Sequence, residues 1–238
     1  HGDVDIICIP NKDIKSIVAT LGKNNLKYHK NGNVHSILYS CDKISKDVHV
    51  DFIKTTEDTY ISNKLYFSLN DFSGIVGIFS KRLYFKYGSG GFFKRYRDKK
   101  GNWHDIFITN NLLDGLKILG FDSNKFNNIK TVDDITKFML TSPLVSVDDF
   151  KRGNMNQSDR KSEKRPVINT VLAKLRNSNK KRTISDDDYF LKKLFPKYYK
   201  NVQDKIEKID NYVVPKSKYD GKWVLNTFNI KPGKIVGD

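Results

Sequence analysis

Three aspartates occur at positions where a divalent metal site could form. Asp3 and Asp5 are two residues apart in an apolar run that continues to Ile9, and Asp51 lies in the later run V-H-V-D-F-I. Residues two apart on a strand leave the same face about 7 Å from each other, which places Asp3 and Asp5 together. Asp51 would lie beside them if its strand is the neighbour of theirs. Carboxylates this close repel one another unless a divalent metal binds. Two Mg²⁺ ions could then activate a hydroxyl and hold a triphosphate for in-line displacement.

A plainer alternative is that these aspartates end their strands and face water. Two features favour the metal site over that alternative: Gly2 directly precedes the pair, and a third aspartate lies on a second strand. His49 shares a strand face with Asp51, where it could tune the site or merely pack.

The elements that must position these residues are strands in the front half and helices in the back half. Predicted strands, from β-branched and aromatic runs, are 4–9, 26–30, 34–39, 48–53, a short one at 65–67, 83–87, 92–96 and 103–108. Predicted helices, from apolar residues at helical spacing, are 11–22, 70–79, 112–119, 132–139, 167–175 and 189–209. Residues 151–165 are polar and predict an exposed loop. The expected class is α+β, a mixed sheet followed by a mostly helical region.

The composition favours a polyanionic partner. The 238 residues carry 43 Lys and Arg against 27 Asp and Glu, a formal charge of +16. An excess of this size favours nucleic acid before anionic lipid. No apolar run is long enough to span a membrane, and the two cysteines exclude a disulfide framework. We therefore expect an intracellular, cytoplasmic protein without a membrane partner.

Cations and aromatic rings alternate between residues 81 and 100. The cations that could bind nucleic acid are Lys81, Arg82, Lys86, Lys94, Arg95 and Arg97. Cations neutralise phosphates while aromatic faces stack on bases, as in single-strand sites. A half-buried hairpin, with aromatics inward and lysines in solvent, explains the same alternation. The turn G-S-G-G at 88–91 is better explained as a hairpin tip than as a phosphate cradle.

Pairs and triplets of acidic residues elsewhere are better explained as helix caps. Ser185 and Asp188 have capping-box spacing around the triplet 186–188, and the pairs 133–134 and 148–149 resemble caps or solvent faces. Cations between 151 and 165 could follow a nucleic-acid backbone, although a solvated loop is the more common explanation.

Gly2-Asp3-Val4-Asp5-Ile6 resembles the G-D-x-D element of the nucleotidyltransferase superfamily. The order of the subsequent elements is most similar to the palm of family X (polymerase beta-like) DNA polymerases: a helix, a hairpin, a strand with the third carboxylate at Asp51, and Leu65-Tyr66-Phe67-Ser68-Leu69-Asn70-Asp71 where the family has L-Y-F-T-G-S-D. The resemblance covers about residues 2–95. The segment 230–237 is also similar, in part, to a turn in the helical tails of CCA-adding and poly(A) enzymes.

The resemblance implies specific roles for these residues. Asp3, Asp5 and Asp51 would be catalytic metal ligands for two Mg²⁺ ions, with Mn²⁺ as a substitute. The nucleoside triphosphate would be contacted by Gly2, Tyr66, Phe67, Asn70 and Asp71. The family's triphosphate-binding G-[GS]-x-x-R-R element would lie before His1, so we expect a longer chain or a partner subunit to supply it. Leu69-Asn70 replaces the family's small G-S pair.

The resulting expectation is a nucleotidyltransferase that adds nucleotides to a nucleic-acid 3′-hydroxyl. Residues 1–109 would form the palm with its basic hairpin, and 110–238 a helical accessory region that binds nucleic acid. The substrate alternatives are a DNA 3′ end and an RNA 3′ end of the CCA-adding or poly(A) type. A nucleic-acid-binding protein without catalysis is the alternative of another class. The Lys- and Asn-rich composition hints at a viral or phage source.

Overall fold

The protein has an α+β fold, as the sequence predicts. The computed structural model describes residues 4–9, 14, 16, 28–39, 47–69 and 71–212. Within these ranges the chain forms two β-sheets, and helices dominate from residue 112 onward. Gly2, Asp3 and Asn70 lie outside the described residues, as do the segment 230–237 and most of the helix predicted at 11–22.

The first sheet is mixed and contains four strands. They are β1 (Val4–Cys8), β2 (Tyr28–Asn31), β3 (Val34–Tyr39) and β4 (Val48–Lys54). Their order across the sheet is β1-β4-β3-β2. β1 runs parallel to β4, whereas the other two pairings are antiparallel. All four strands were predicted from the sequence. Gly32 and Asn33 form the two-residue turn between β2 and β3, and Asn31 ends β2, where it pairs with Val34.

One face of this sheet packs against a helical residue of the segment after β1. Ile14 is helical and almost fully buried, and it forms a small core with Ile37 and Phe52. Because side chains alternate across a strand, Val50 and Phe52 point to that core, while His49, Asp51 and Ile53 point to the opposite face. The small core therefore fixes which face presents Asp51.

Two helices connect the first sheet to the rest of the chain. Helix α1 spans Glu57–Phe67 and helix α2 spans Phe72–Arg82. The short strand predicted at 65–67 is wrong, because these residues form the last turn of α1. The helix starts where the backbone N–H of Thr56 donates to Thr59 Oγ1 at 3.2 Å. Leu65 and Tyr66 then continue it because they pack against the main core.

The second sheet is an antiparallel three-stranded sheet with the order β5-β6-β7. Its strands are β5 (Phe85–Gly88), β6 (Gly91–Arg97) and β7 (Trp103–Thr109). Gly88 pairs with Gly91 across a two-residue turn, so the glycine-rich segment is a hairpin tip, as predicted. Phe92 pairs with Thr109 and Phe93 with Phe107, so Ile108 is the extra residue of a bulge in β7.

The segment 112–212 is mostly helical. Its helices are α3 (Leu112–Ile118), α4 (Val132–Thr141), α5 (Gln157–Ser162), α6 (Pro166–Arg176), α7 (Tyr189–Leu194) and α8 (Pro196–Asp210), with 3₁₀ turns at Ser123–Asn128, Val147–Phe150 and Arg152–Asn154. The single helix predicted at 189–209 is broken between Phe195 and Pro196, because proline lacks the N–H that a continuous helix requires.

The prediction for 151–165 is correct in that most of these residues are exposed, but wrong in that they do not form a loop throughout. This segment contains a 3₁₀ turn and α5, and it buries Met155 and Asp159. Asp159 is held by cations of α2, which a local polar pattern does not reveal. The capping expectations for the acidic pairs are confirmed: Thr131 with Asp134 and Ser146 with Asp149 form capping boxes.

One large hydrophobic core joins the second sheet to the helices. Phe72 and Phe79 of α2, Phe85 and Phe92 of the hairpin, and Leu172 of α6 are fully buried in it. The hairpin of β5 and β6 therefore shares its core with the back half of the chain. The predicted division at residue 109 remains a prediction. None of the described helices is both long enough and apolar enough to cross a membrane.

Gly91 is the residue of the hairpin tip that least tolerates a side chain. Its φ is +122°, and a Cβ there would lie 2.9 Å from the carbonyl oxygen of Thr109. We expect Gly91→Ala to lower the free energy of unfolding by about 1–3 kcal/mol, measured by urea denaturation. Gly90→Ala is the matched control, since a Cβ at Gly90 meets no atom within 4 Å. Equal stability of the two variants would contradict the described turn.

Candidate functional site

The parallel pairing of β1 and β4 brings two of the three predicted metal ligands together. The register sets Asp5 directly opposite Asp51. Neighbouring strands lie about 4.8 Å apart, and opposed residues project from the same face. Asp5 and Asp51 are therefore adjacent on the face that points away from Ile14. The sequence predicted this adjacency on the condition that the two strands are neighbours, and they are.

A polar row crosses the whole first sheet at this level. Asp51 is also opposite Ser36 of β3, and Ser36 is opposite His29 of β2. The row thus runs Asp5, Asp51, Ser36, His29 across four strands. The hydroxyl of Ser36 and the imidazole of His29 thus continue the row of polar groups that the two carboxylates begin.

Asp51 is the most enclosed carboxylate of this row. Its side chain is 18% exposed, and its buried Oδ1 atom has no hydrogen-bond partner among the residues that the structure describes. The His49 imidazole, which can carry positive charge, places its Nε2 atom 3.6 Å from Oδ1. A buried carboxylate oxygen without a donor is costly, and native proteins satisfy nearly all such atoms with a protein group, an ordered water or a bound group. His49 therefore lies against the candidate site, as one of the sequence interpretations held.

The third carboxylate, Asp3, is outside the described residues, as is Gly2. In the part of the chain that the structure describes, no three His, Cys, Asp or Glu side chains form a group that could hold a metal. The described site is thus a carboxylate pair, Asp5 and Asp51, to which Asp3 is joined by the sequence alone.

The predicted nucleotide-contacting residues lie at the junction of α1 and α2. Tyr66 and Phe67 end α1, and their rings meet edge to face at 5.0 Å. The Ser73 hydroxyl donates to the Tyr66 carbonyl at 2.6 Å. Burial raises the pKa of Tyr66, and the positive charge of Arg165 lowers it in part. This junction is packed against the main core rather than built into the first sheet.

Asp71 is the N-cap residue of α2 and forms an ion pair with Arg165. The Arg165 Nη1 atom donates to Asp71 Oδ1 at 2.8 Å, and Arg165 itself is largely exposed. A cation from residues 151–165 thus reaches the predicted nucleotide site. Asn70, the neighbour that the resemblance also implicated, is outside the described residues.

Three of the predicted nucleic-acid-binding cations pair with carboxylates that are buried or partly buried. Lys81 and Arg82 both pair with Asp159, whose side chain is 2% exposed. The Lys94 ammonium donates to Asp188 at 2.6 Å and lies over the Phe85 ring. Their charges are compensated inside the protein, so we describe them as structural ion pairs.

The other three predicted cations lie on the outer side of the second sheet. Lys86 and Arg95 donate to the two oxygens of Asp105, at 2.7 and 3.1 Å. Arg97 is exposed, and its Nε donates to the Gly101 carbonyl at 3.0 Å. These cations point to solvent, opposite the face that carries Lys94.

The aromatic residues of the hairpin divide in the same way. Phe85, Tyr87 and Phe92 are buried in the main core, which confirms the half-buried hairpin interpretation for them. Burial also raises the pKa of Tyr87. Tyr84, by contrast, is 53% exposed. Alternation alone could not show which rings would be covered, because that depends on the packing of helices on both sides of the hairpin in the chain.

Two exposed aromatic residues, Trp103 and Phe107, are absent from the sequence-based prediction of the site. They alternate with His104 and Ile106 along β7, and they are 52% and 45% exposed. The signal is present in W-H-D-I-F-I-T, where positions 103, 105 and 107 share one face. The predicted strand is correct, and its alternation is enough to place these two rings on the side away from Ile106.

The acidic triplet before α7 forms ion pairs rather than a metal site. Asp186 pairs with Lys192, Asp187 with Arg182 and Asp188 with Lys94. Arg182 also donates to Asp149, which is itself nearly buried. A helix does begin at Tyr189, as predicted, but its N-cap residue Asp188 makes no side-chain cap hydrogen bond.

Comparison of the chain with protein-family models, with curated proteins and with solved structures found no match.

The two kinds of cation on β5 and β6 predict different effects on stability. We expect Lys94→Ala to lower the free energy of unfolding by about 2–3 kcal/mol, since it leaves Asp188 partly buried without its partner. Lys86→Ala removes an exposed partner of Asp105 and should cost less than about 1 kcal/mol. Chemical denaturation of both variants measures the difference. A larger loss in Lys86→Ala would contradict the assignment of Lys94 as structural.

Proposed function

We propose that this protein is a metal-dependent nucleotidyltransferase. The 3′-hydroxyl of a nucleic acid would attack the α-phosphate of a nucleoside triphosphate, which joins the nucleotide to the nucleic acid and releases pyrophosphate, in the manner of polymerase beta-like palms. The observation that carries the proposal is the register of β1 against β4, which sets Asp5 opposite Asp51 on one sheet face. The G-D-x-D spacing, which adds Asp3, and the charge of +16 support it.

The carboxylate pair fits a divalent metal by two observations. Asp5 and Asp51 are adjacent, and Asp51 retains a buried oxygen without a hydrogen-bond donor among the described residues. Hard cations such as Mg²⁺ take carboxylate oxygens as ligands. Asp5 and Asp51, joined by Asp3, would hold the ions. When bound, two Mg²⁺ ions supply positive charge to the triphosphate and make the attacking hydroxyl more acidic.

The chain's own contribution is to hold the carboxylates in place before substrate arrives. β4 is a central strand, bonded to β1 on one side and β3 on the other, so the backbone of Asp51 is fixed on both sides. A fixed, pre-arranged charge avoids reorganisation during the reaction. His49 lies 3.6 Å from Asp51 on the same strand and adds a group that can carry positive charge.

The nucleotide would lie between the first sheet and the junction of α1 and α2. In this proposal Tyr66, Phe67, Asn70 and Asp71 contact its base and sugar, and Gly2 lets the chain approach the phosphates. Arg165, through its ion pair with Asp71, places a cation at that junction.

Two substrates remain within the proposal, a DNA 3′ end and an RNA 3′ end. Primer extension with Mg²⁺, on a labelled gapped DNA duplex with dNTPs and on a labelled RNA primer with NTPs, separates them. The strand that is extended identifies the substrate. Binding of both strands without extension of either would leave the non-catalytic alternative and overturn the proposal.

Removing one carboxylate should abolish extension while leaving the fold intact. We expect Asp5→Asn and Asp51→Asn each to reduce the extension rate at least ~100-fold, because each removes a charge that would bind metal. Asp148→Asn is the matched control, since Asp148 is exposed and remote in the chain. Circular dichroism checks that all three variants are folded. Full activity in Asp51→Asn would contradict the site.

Metal binding can also be measured without activity. Mn²⁺ should raise the melting temperature of the wild-type protein because it binds the folded state alone. Asp51→Asn should lose most of that shift, whereas Asp148→Asn should keep it. An equal shift in all three proteins would place the metal elsewhere and contradict the assignment of Asp51 as a ligand.

A further inference from the structure

The outward side of the second sheet combines exposed aromatic rings with cations. We define this outer face by Tyr84, which precedes β5, and by Lys86, Phe93, Arg95, Trp103 and Phe107. The register places Lys86 beside Phe93 and Phe93 beside Phe107, so these rows lie on one side. The opposite side carries Phe85 and Ile106, which are buried in the main core.

The rings of the outer face are accessible in the folded protein. Tyr84, Trp103 and Phe107 are 53%, 52% and 45% exposed. Tyr84 and Trp103 lie nearly parallel, with ring centroids 6.4 Å apart and an interplanar angle of 21°. Phe93 and Phe107 meet edge to face at 5.5 Å. Exposed rings clustered in this way mark an interaction surface more often than isolated ones do.

Cations are interleaved with these rings. The Arg95 guanidinium lies 5.4 Å from the Trp103 ring centroid, and the Lys86 ammonium lies 5.2 Å from that of Phe93. Both cations also bind Asp105. Desolvation raises the pKa of that carboxyl, but the hydrogen bonds and charges of the two cations outweigh it, so the pKa lies below its usual value. With the exposed Arg97, three cations face one ionised carboxylate. The face is therefore net positive.

Tyr84 occupies a backbone position that favours glycine. It follows the C-cap residue of α2 and has a φ of +56°, in the left-handed region. A side chain other than glycine is strained there. The ring that this conformation presents packs on Trp103 and stays half exposed. The exposed ring therefore accounts for a tyrosine at this position, whereas the backbone conformation of the turn would favour glycine.

The surface continues past Phe107 towards the last helix. A cavity of about 330 Å³ lies between β7 and α8, lined by Phe107, Tyr198, Lys205 and Lys208 with one acid, Asp204. Two further lysines beside an exposed ring extend the same combination of charge and aromatic surface.

We propose that the outer face binds single-stranded nucleic acid, with bases stacked on Tyr84, Trp103 and Phe107 and phosphates near Lys86, Arg95 and Arg97. Charge complementarity favours a polyanion, and the exposed ring faces favour one whose bases are unstacked from a partner strand. The inference rests on the proposed function in one respect, since a transferase must hold the strand that it extends.

Binding is measured without metal or nucleotide, by fluorescence anisotropy of labelled (dT)₂₀ and (rU)₂₀. We expect Trp103→Ala and Tyr84→Gly each to weaken binding by roughly 5- to 100-fold. Tyr84→Gly removes the ring and also relieves the backbone strain, so loss of binding there does not arise from misfolding. The relative affinity for the two oligonucleotides tells whether a DNA or an RNA strand is preferred.

Ile61→Ala and Lys151→Ala are the matched controls. Ile61 is 62% exposed on α1, and the Lys151 side chain is 64% exposed. Both variants should bind like the wild type. Equal affinity in the outer-face variants and these controls would overturn the inference. A second result would also overturn the inference: Trp103→Ala binds oligonucleotides like the wild type but no longer binds vesicles of phosphatidylcholine with 30% phosphatidylserine. The outer face would then bind membrane.

Tryptophan fluorescence gives a second readout. The chain has two tryptophans, Trp103 and Trp223, so in Trp223→Phe the signal comes from Trp103 alone. Stacking of a base should quench it on titration with (dT)₂₀, and an unchanged signal despite binding would overturn the inference. Asp51→Asn should bind the strand normally. Binding without extension therefore contradicts the proposed function alone. Extension at the wild-type rate in Trp103→Ala contradicts only the proposed binding at the outer face.

Discussion

The parallel pairing of β1 with β4 is the constraint on which the candidate site depends. A shift of one residue in this register would turn Asp51 to the Ile14 side and replace it with an apolar residue. The small core of Ile14, Ile37 and Phe52 opposes such a shift, because it needs the even-numbered residues of β4 on its own side. The carboxylates are thus positioned by apolar contacts on the opposite face of the sheet.

Charge is distributed unevenly over the molecule. Lys81, Arg82 and Lys94 turn inward and meet Asp159 and Asp188, which join α2 and the hairpin to segments far along the chain. The cations of the outer face have a single carboxylate, Asp105, between them. A sequence that is strongly basic overall therefore uses one set of cations for assembly and leaves another set available to a partner.

Features set by local pattern could be predicted from the sequence, and features set by distant partners could not. Alternation and turn residues predicted the strands of both sheets. The sequence predicted that Asp5 and Asp51 are adjacent only on the condition that β1 and β4 are neighbours, which the structure shows. The segment 65–67 was assigned to a strand because its residues are apolar and aromatic, whereas contacts with the main core keep it helical. The polar pattern of residues 151–165 does not reveal that Asp159 is buried, because the cations that pair with Asp159 lie more than seventy positions earlier.

The same division applies to the aromatic hairpin. Its alternation showed two faces, but only the packing of α2 and α3 shows that Phe85 and Phe92 are covered while Tyr84 is not. Asp51's buried oxygen and its distance from His49 likewise depend on tertiary structure. Local pattern therefore indicated which residues could do chemistry, and the tertiary structure separates those that face solvent from those that hold the fold.

The connectivity of the two sheets also has a kinetic consequence. β5 and β6 are joined by a two-residue turn, whereas the pairing of Asp5 with Asp51 closes a loop of ~46 residues. Because long loops are costly to close before their contacts form, we expect the hairpin to protect its amides early and β1 to dock late, which pulse-labelled hydrogen exchange would resolve. A nascent or partly unfolded chain would then present its hairpin and outer face before its carboxylates had met. Under the proposals made above, such a chain would bind a nucleic-acid strand before it could react with one.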